Sequence, residues 1–204
     1  MSSSLLNALL IEAPVNRHFA QLHRDPQALT EAVTLYLETG LRRGNGVVVI
    51  ATPSHTERFL ASLRNSGLDP SHVLKSGQLE LHDAELMLCK FMRNDTPDWD
   101  DFRKALSAVF ERVRAFGRGT TRAYGEMVNV LWQEGKQEAA IRLEEYWNEL
   151  ARLYPFSLFC SYMLVPNHPH SYDGLEAICR THSDIIDSVE DPERARRYSE
   201  DSLQ

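Results

Sequence analysis

The chain of 204 residues is poor in lysine and has no long apolar run. Only four of its 22 basic residues are lysine, no dense Lys/Arg stretch occurs, and the net charge is −7. A protein that binds nucleic acid through phosphates usually presents a basic face, so we expect no direct nucleic-acid contact. No stretch approaches the roughly 18 uninterrupted apolar residues of a spanning helix, so we expect no membrane partner either.

Cysteine is also scarce. The three cysteines, Cys89, Cys160 and Cys179, are widely spaced, and no Cys-x-x-Cys pair occurs. This pattern indicates neither a disulfide framework nor a zinc ribbon. The first residues lack the basic segment and cleavage site of a signal peptide, so we expect a cytoplasmic location.

A phosphate-binding loop is missing as well. Such a loop needs glycines for close backbone approach and a lysine followed by serine or threonine. The first predicted strand is followed by His-Arg-Asp-Pro-Gln, and Gly117-Arg-Gly119 precedes a strand where the motif would have to open a helix. Ordinary ATP hydrolysis is therefore not expected, and no cofactor is assigned.

Strand and helix patterns alternate along the chain. Apolar or alternating runs predict strands over residues 18–23, 46–51, 78–82, 120–124 and 156–162. Helical spacing follows each of them, with a capping box at Ser54-His-Thr-Glu57, capping aspartates at Asp83 and Asp98, and a last helix through Ile185 and Ile186. The alternation predicts an α/β fold with a mostly parallel sheet flanked by helices.

The domain organisation is simple. Residues 5–11 form a short apolar run that fits either a strand or a helix, and no interdomain linker or repeat follows. We expect one α/β domain over residues 1–186. Residues 187–204 hold six acids against three arginines and few apolar side chains, which predicts a charged, flexible C-terminal tail.

Candidate binding residues lie where the predicted strands end. Ligands of open α/β sheets bind outside the carboxyl ends of the strands. The polar residues predicted there are His23, Arg24, Thr52, His55, Asp83, Glu85, Glu126 and Tyr162. Two plainer interpretations stay open: Asp83 and Ser54 are helix caps beside solvated histidines, and Glu126 stabilises a helix N-terminus or pairs with Arg122.

Metal and nucleophile patterns are weak in this sequence. His168 and His170 share a loop, and Cys179 and His182 stand at i, i+3 on a predicted helix, but two ligands do not make a site. Core packing is the favoured interpretation of the second pair. No Gly-x-Ser-x-Gly elbow occurs, so neither a metal site nor a catalytic residue is predicted.

Several segments together are more specific than any single motif. They include Arg-Ala-Tyr-Gly-Glu-Met-Val at residues 122–128 and further segments at residues 40–55, 76–85, 131–135, 142–150 and 156–162. Their combination resembles the MEDS domain, the methanogen/methylotroph DcmR sensory domain, over residues 15–186. The motif positions carried over from this resemblance are His55, Asp83, Glu85, Glu126 and Trp147. Arg122, in the same segment as Glu126, is a further candidate for ligand binding.

The resemblance implies a three-layer RecA/KaiC-like fold without a phosphate-binding loop. It also implies a non-enzymatic sensory role in prokaryotic signalling, with a small organic or hydrocarbon-derived ligand and a kinase or transcription regulator as the protein partner. If the implied strand order holds, the first and fourth strands are neighbours, which puts His23 and Arg24 beside Glu126.

Two other functions remain open at this stage. One is a nucleotide-binding or metal-assisted hydrolytic enzyme that uses Glu126 and Asp83, and the other is a pure protein-interaction module. The sequence identifies neither the ligand nor the partner, and it leaves room for a homo-oligomer.

Overall fold

The computed structural model describes residues 3–114, 116, 120–165 and 174–187. Its helices are α1 (Ser3–Glu12), α2 (Pro26–Arg42), α3 (Pro53–Asn65), α4 (Pro70–Ser76), α5 (Ala84–Leu88), α6 (Trp99–Arg114), α7 (Met127–Gln133), α8 (Gln137–Leu153) and α9 (Leu175–Thr181). Its strands are β1 (His18–His23), β2 (Gly46–Ala51), β3 (Leu79–Asp83), β4 (Met92–Arg93), β5 (Thr96–Pro97), β6 (Thr121–Gly125), β7 (Phe156–Met163) and β8 (Asp184–Asp187). In the described part of the chain, no helix is both long and apolar enough to span a bilayer.

Six strands form one parallel sheet in the order β3-β2-β6-β7-β1-β8. Residues of β2 alternate between two apolar cores, because successive side chains of a strand point to opposite faces. Val47 and Val49 pack with α1 to α4, whereas Val48 and Ile50 pack with α5 to α9. This arrangement of helices on both faces confirms the predicted α/β fold with a mostly parallel sheet.

The first and fourth predicted strands are not neighbours, and that expectation is wrong. Strand β7 lies between β6 and β1, with Tyr124 and Phe19 both opposite Phe159. Seven of its eight residues are buried, a pattern that suits a central strand with partners on both edges. On the other side of β1 lies β8.

The end of the chain also differs from the sequence prediction. Ile185 and Ile186 belong to β8, not to a continuing helix, because His182 adopts extended backbone with φ −108° and ψ 146°. Pairing with β1 then favours the strand for these two β-branched residues. Asp187 ends β8. Residues 188–204 lie outside the described part, so the flexible tail stays a prediction.

One local prediction is wrong, and two short elements were not predicted. The capping box at Ser54 does not form, because Pro53 starts α3 and makes Thr52 the N-terminal cap. Helix α4 and the β4-β5 hairpin were not predicted, since both are too short to show a period. The apolar run over residues 5–11 lies within α1. Gly117-Arg-Gly119 lies outside the described residues.

Candidate functional site

Glu126 connects the carboxyl ends of two adjacent strands. It follows β6 directly, and its backbone N–H donates to Ile50 O at 2.8 Å, which continues the ladder with β2. Its side chain is buried, and Oε2 accepts the Thr52 N–H at 2.9 Å and the Thr52 hydroxyl at 3.3 Å. Oε1 contacts His55 Nδ1. The carboxylate therefore serves the start of α3, not the N–H groups of its own helix α7.

Aromatic side chains pack against His55, which contacts this carboxylate. His55 lies in the first turn of α3, and its ring is 5.9 Å from that of Phe59 one turn later. Phe59 packs edge-on against Tyr124, whose hydroxyl lies 2.8 Å from Ser161 Oγ. Burial raises the pKa of Tyr124 well above its usual value, and the charge of Glu126 adds to the rise. The phenol therefore stays protonated at neutral pH.

His23 ends β1 and is fully buried. Among the described residues, neither of its ring nitrogens makes a well-formed hydrogen bond, although the Asp25 backbone is close enough to raise its pKa. Burial and the charge of His55 outweigh the opposing effects of the Asp25 backbone and the charge of Glu126, and together these effects lower the pKa of His23 to about 4. The imidazole is therefore neutral at pH 7 and offers one donor and one acceptor. The charges of His55 and Glu126 both act on the His23 imidazole, although β7 separates β1 from β6.

We refer to His23, Thr52, His55 and Glu126 as the strand-end cluster. Beside it, a cleft of ≈ 280 Å³ opens at the ends of β2 and β3. The cleft is lined by Ala51, Pro53, Thr56, Glu57, Leu81, His82 and Asp83. Polar groups and an adjacent cleft thus meet at the carboxyl edge of the sheet, where ligands of such sheets bind.

The other candidates of the strand ends have different surroundings. Arg24 is exposed beside His23, and Glu85 is exposed in the first turn of α5. Asp83 accepts the Leu86 N–H at 3.0 Å, which confirms its role as a helix cap. The structure therefore brings Asp83 to the cleft and leaves Glu85 on the surface.

Trp147 and Tyr162 lie in the core. Trp147 of α8 is buried edge-on against Phe102, and its ring lies under Gly125. Tyr162 is fully buried in β7, and its hydroxyl donates to Glu144. The structure therefore places both side chains inside the apolar layer between the sheet and α8.

Arg122 does not pair with Glu126, so that alternative is wrong. Its guanidinium donates to the carbonyl oxygens of Leu10 at 2.9 Å, Ile11 at 2.8 Å and Tyr36 at 3.1 Å. These acceptors belong to α1 and α2, which cover the other end of β6. A Cβ on Gly40 would lie 2.6 Å from Arg122 Cδ, so only glycine lets α2 approach this side chain.

A second polar cluster was missed by the sequence predictions. It consists of His18 of β1, Glu144 of α8, Cys160 of β7 and His182 after α9. Each residue offers one ligand atom, and these atoms all lie within 4.8 Å of one another. We call these four residues the His–Glu–Cys cluster. His18 Nε2 lies 3.1 Å from Glu144 Oε2 and 3.4 Å from Cys160 Sγ, and His182 Nε2 lies 3.2 Å from Glu144 Oε1.

Electrostatics in this cluster favour an ionised carboxylate. Burial raises the pKa of Glu144. The charges of His182 and His18 and their hydrogen bonds lower it by more, so the pKa falls below its ordinary value. Burial raises the pKa of the Cys160 thiol, and the charge of Glu144 raises it further. Of the described residues, only this group of four has the composition and spacing to hold a metal ion.

One sequence signal could have identified Glu144. It falls at the spacing of Ala140, Leu143 and Trp147, so it lies on the buried face of α8. His182 of the Cys179 and His182 pair joins the cluster, whereas Cys179 packs against the apolar core. His168 and His170 lie outside the described residues.

A comparison with protein families gave a match that covers most of the chain. The model of the MEDS domain, described as methanogen/methylotroph, DcmR sensory domain, matches residues 17–183. The match begins just before β1 and ends just before β8, and it includes both polar clusters. Helix α1 lies outside it. No curated protein matches the sequence.

Proposed function

Because the chain belongs to the MEDS family of sensory domains, we propose that it binds a small organic molecule at the strand-end cluster and transmits the bound state to a partner protein. The proposal treats the chain as a sensor and not as an enzyme. Its output partner is a kinase or a transcription regulator.

The observation that best supports this proposal is that the buried ring of His23 makes no well-formed hydrogen bond within the described residues. A buried imidazole without a hydrogen-bond partner costs about 1–3 kcal/mol, so such groups usually have a functional reason. His23 offers a donor and an acceptor, and the charges of His55 and Glu126 act on its ring. A small molecule with one hydroxyl, amine or carbonyl group would supply the missing partner.

The surroundings favour a small ligand with an apolar part. Ala51, Pro53 and Leu81 give the adjacent cleft an apolar wall, and its volume of ≈ 280 Å³ is near the lower end of ligand-site volumes, about 300 Å³. These features suit a short hydrocarbon derivative with one polar group. A charged, phosphate-rich nucleotide fits this composition poorly.

Helix α3 is the element through which we propose that the signal leaves the site. Thr52 caps α3 and His55 lies in its first turn, and both contact Glu126. A ligand that competes for the carboxylate would release these contacts and move the start of α3. The partner would recognise that change.

A thermal-shift screen tests the binding site. We expect a member of a panel of short alcohols, amines, carboxylic acids and halogenated alkanes to stabilise the wild-type chain. A ligand at 100 times its Kd adds about 2.7 kcal/mol, or roughly 5–10 °C in Tm for a chain of this length. Glu126→Gln and His23→Gln should each lose most of this shift, because they change the groups that meet the ligand.

Glu149→Gln is the matched control. Glu149 is exposed on α8, where it pairs with Arg152 at 2.8 Å, so the wild-type shift should persist in this variant. If no compound moves the wild-type Tm, or if all three variants respond like wild type, the ligand site is not at the strand-end cluster.

The enzymatic alternative requires Glu126 and Asp83 to act on one divalent ion. In the structure each carboxylate has its own backbone donor, Thr52 for Glu126 and Leu86 for Asp83. Calorimetry with ATP and Mg²⁺ separates the two functions. We expect flat titrations, and a saturable heat would favour the enzyme.

A further inference from the structure

We propose that the His–Glu–Cys cluster binds one divalent transition-metal ion, with zinc as the preferred occupant. The ligand atoms of the four residues already lie within 4.8 Å of one another. A tetrahedral zinc ion with bonds of about 2.0–2.3 Å holds its ligand atoms about 3.3–3.8 Å apart. Glu144 Oε2 lies 3.1 Å from His18 Nε2 and 3.6 Å from Cys160 Sγ, and these two atoms are 3.4 Å apart. His182 Nε2 lies 3.2 Å from the other carboxylate oxygen, Oε1.

Both imidazoles are oriented for metal binding. His18 Nδ1 lies 2.9 Å from Asn148 Oδ1, and the Asn148 amide is itself fixed because Nδ2 donates to Thr181 O at 2.8 Å. His182 Nδ1 lies 2.7 Å from Ile178 O. Each Nδ1 therefore donates to an oxygen outside the cluster, and each Nε2 faces the cluster. Metal-bound histidines commonly have such an outer partner.

His182 brings a fourth ligand atom to the same carboxylate. Its side chain is fully buried, and Nε2 lies 3.2 Å from Glu144 Oε1, without a well-formed hydrogen bond within the described residues. A proton on Nε2 makes this contact an ion pair. A bound dication would take the place of that proton and turn the contact into coordination.

The donor set determines the class of metal. Two imidazoles, one sulfur and one carboxylate suit a borderline ion such as Zn²⁺, whereas Mg²⁺ and Ca²⁺ prefer six or more oxygens. A thiolate at Cys160 and the Glu144 carboxylate would neutralise a dication. The occupied site would then bury no net charge. Tyr162 would donate to the Glu144 oxygen outside the first coordination sphere.

The site would be structural and separate from the strand-end cluster. His18 and His23 are five residues apart on β1, about 16 Å along a strand. Four protein ligands leave no open position for a substrate, as in structural zinc sites. One ion would fasten the α9-β8 segment to β1, β7 and α8. The sensory proposal can therefore fail while the metal site holds.

Cobalt substitution tests the site on the full chain. After purification without added chelator we expect about one zinc per chain by elemental analysis. Removal of the metal and titration with Co²⁺ should produce the intense visible bands of four-coordinate cobalt and a thiolate-to-cobalt charge-transfer band. Cys160→Ala should abolish the charge-transfer band, because no other thiol faces the cluster among the described residues.

Two further variants separate coordination from folding. Cys89→Ser changes an exposed thiol and should leave the spectrum unchanged. Asn148→Ala leaves all four ligands in place but removes the partner of His18, so metal affinity should fall about 10–100-fold. The proposal is overturned if the wild-type chain binds no Co²⁺, or binds it without a charge-transfer band. It is also overturned if a folded Cys160→Ala chain gives the wild-type spectrum.

Discussion

The two histidines of β1 occupy opposite environments although only four residues lie between them. Burial lowers the pKa of both, but His18 has Asn148 and Glu144 as partners, whereas the ring of His23 has none within the described structure. The side chain of His18 is therefore fixed by polar partners, whereas the ring of His23 is held by burial alone.

His23 should make stability depend on pH. Its folded pKa of about 4 lies below the unfolded value near 6.5, so the unfolded chain binds more protons between these two values. Stability is full above pH 6.5 and should fall by about 3 kcal/mol as the pH drops to 4. Urea unfolding of wild type and His23→Gln from pH 7.5 to 4 measures this loss.

His72→Gln is the control for this pH series. His72 is exposed, so its removal should leave the wild-type slope intact. Other buried groups also titrate in this range, and the difference between wild type and His23→Gln isolates His23. Parallel curves for wild type and His23→Gln would show that His23 is not held neutral by the fold.

Among the elements, α6 and β2 make the tightest approach that depends on a glycine. A Cβ on Gly46 would lie 2.3 Å from Val113 Cγ1 and 2.7 Å from the Val113 carbonyl oxygen. Backbone atoms cannot move as easily as the end of a flexible side chain. The close packing of α6 on the start of β2 therefore requires glycine at this position.

Gly46→Ala should lower the free energy of unfolding by about 1–3 kcal/mol, the usual cost of overpacking. Gly125→Ala is the matched control, because it adds the same methyl group to the next strand of the sheet. A Cβ there would meet nothing closer than 3.6 Å, so the change should be close to neutral. Equal losses in urea denaturation of the two variants would contradict the steric argument.

Elements with a strong local pattern were the ones that sequence could predict. Strands β1 and β2 have the predicted limits: β2 is a continuous apolar run, and β1 mixes polar and apolar residues up to the helix start at Asp25-Pro26. The β8 strand was misread because Ile185 and Ile186 also fit a helical period from Leu175. Only pairing with β1, which is remote in sequence, decides between the two.

For the whole molecule, the sites were harder to predict than the sheet. Position alone marked Glu126 as a strand-end carboxylate. Its contact with His55 joins residues 71 positions apart, and the pair of His18 and Cys160 is 142 positions apart. No local pattern encodes such contacts, because they arise only when the strand order is known.

Removal of the acidic C-terminal residues tests the extent of the domain. The sequence predicts that residues 188–204 add charge and little apolar surface. A chain that ends at Asp187 should therefore unfold within about 2 °C of the full chain, since surface changes cost little. A clearly lower Tm would show that the domain extends past β8. The full chain measured in the same buffer is the reference.

The position of β1 in the sheet has a consequence for synthesis. Its neighbours are β7 and β8, and His18 bonds to Ser183, 165 positions later. At about 5–20 residues per second, a ribosome needs roughly 8–33 s to travel that distance. During this time a strand that ends up completely buried has no partner on either edge. The sheet can therefore form completely only after the C-terminal third of the chain has been synthesised. Until then β1 stays unpaired and accessible to chaperones or to aggregation.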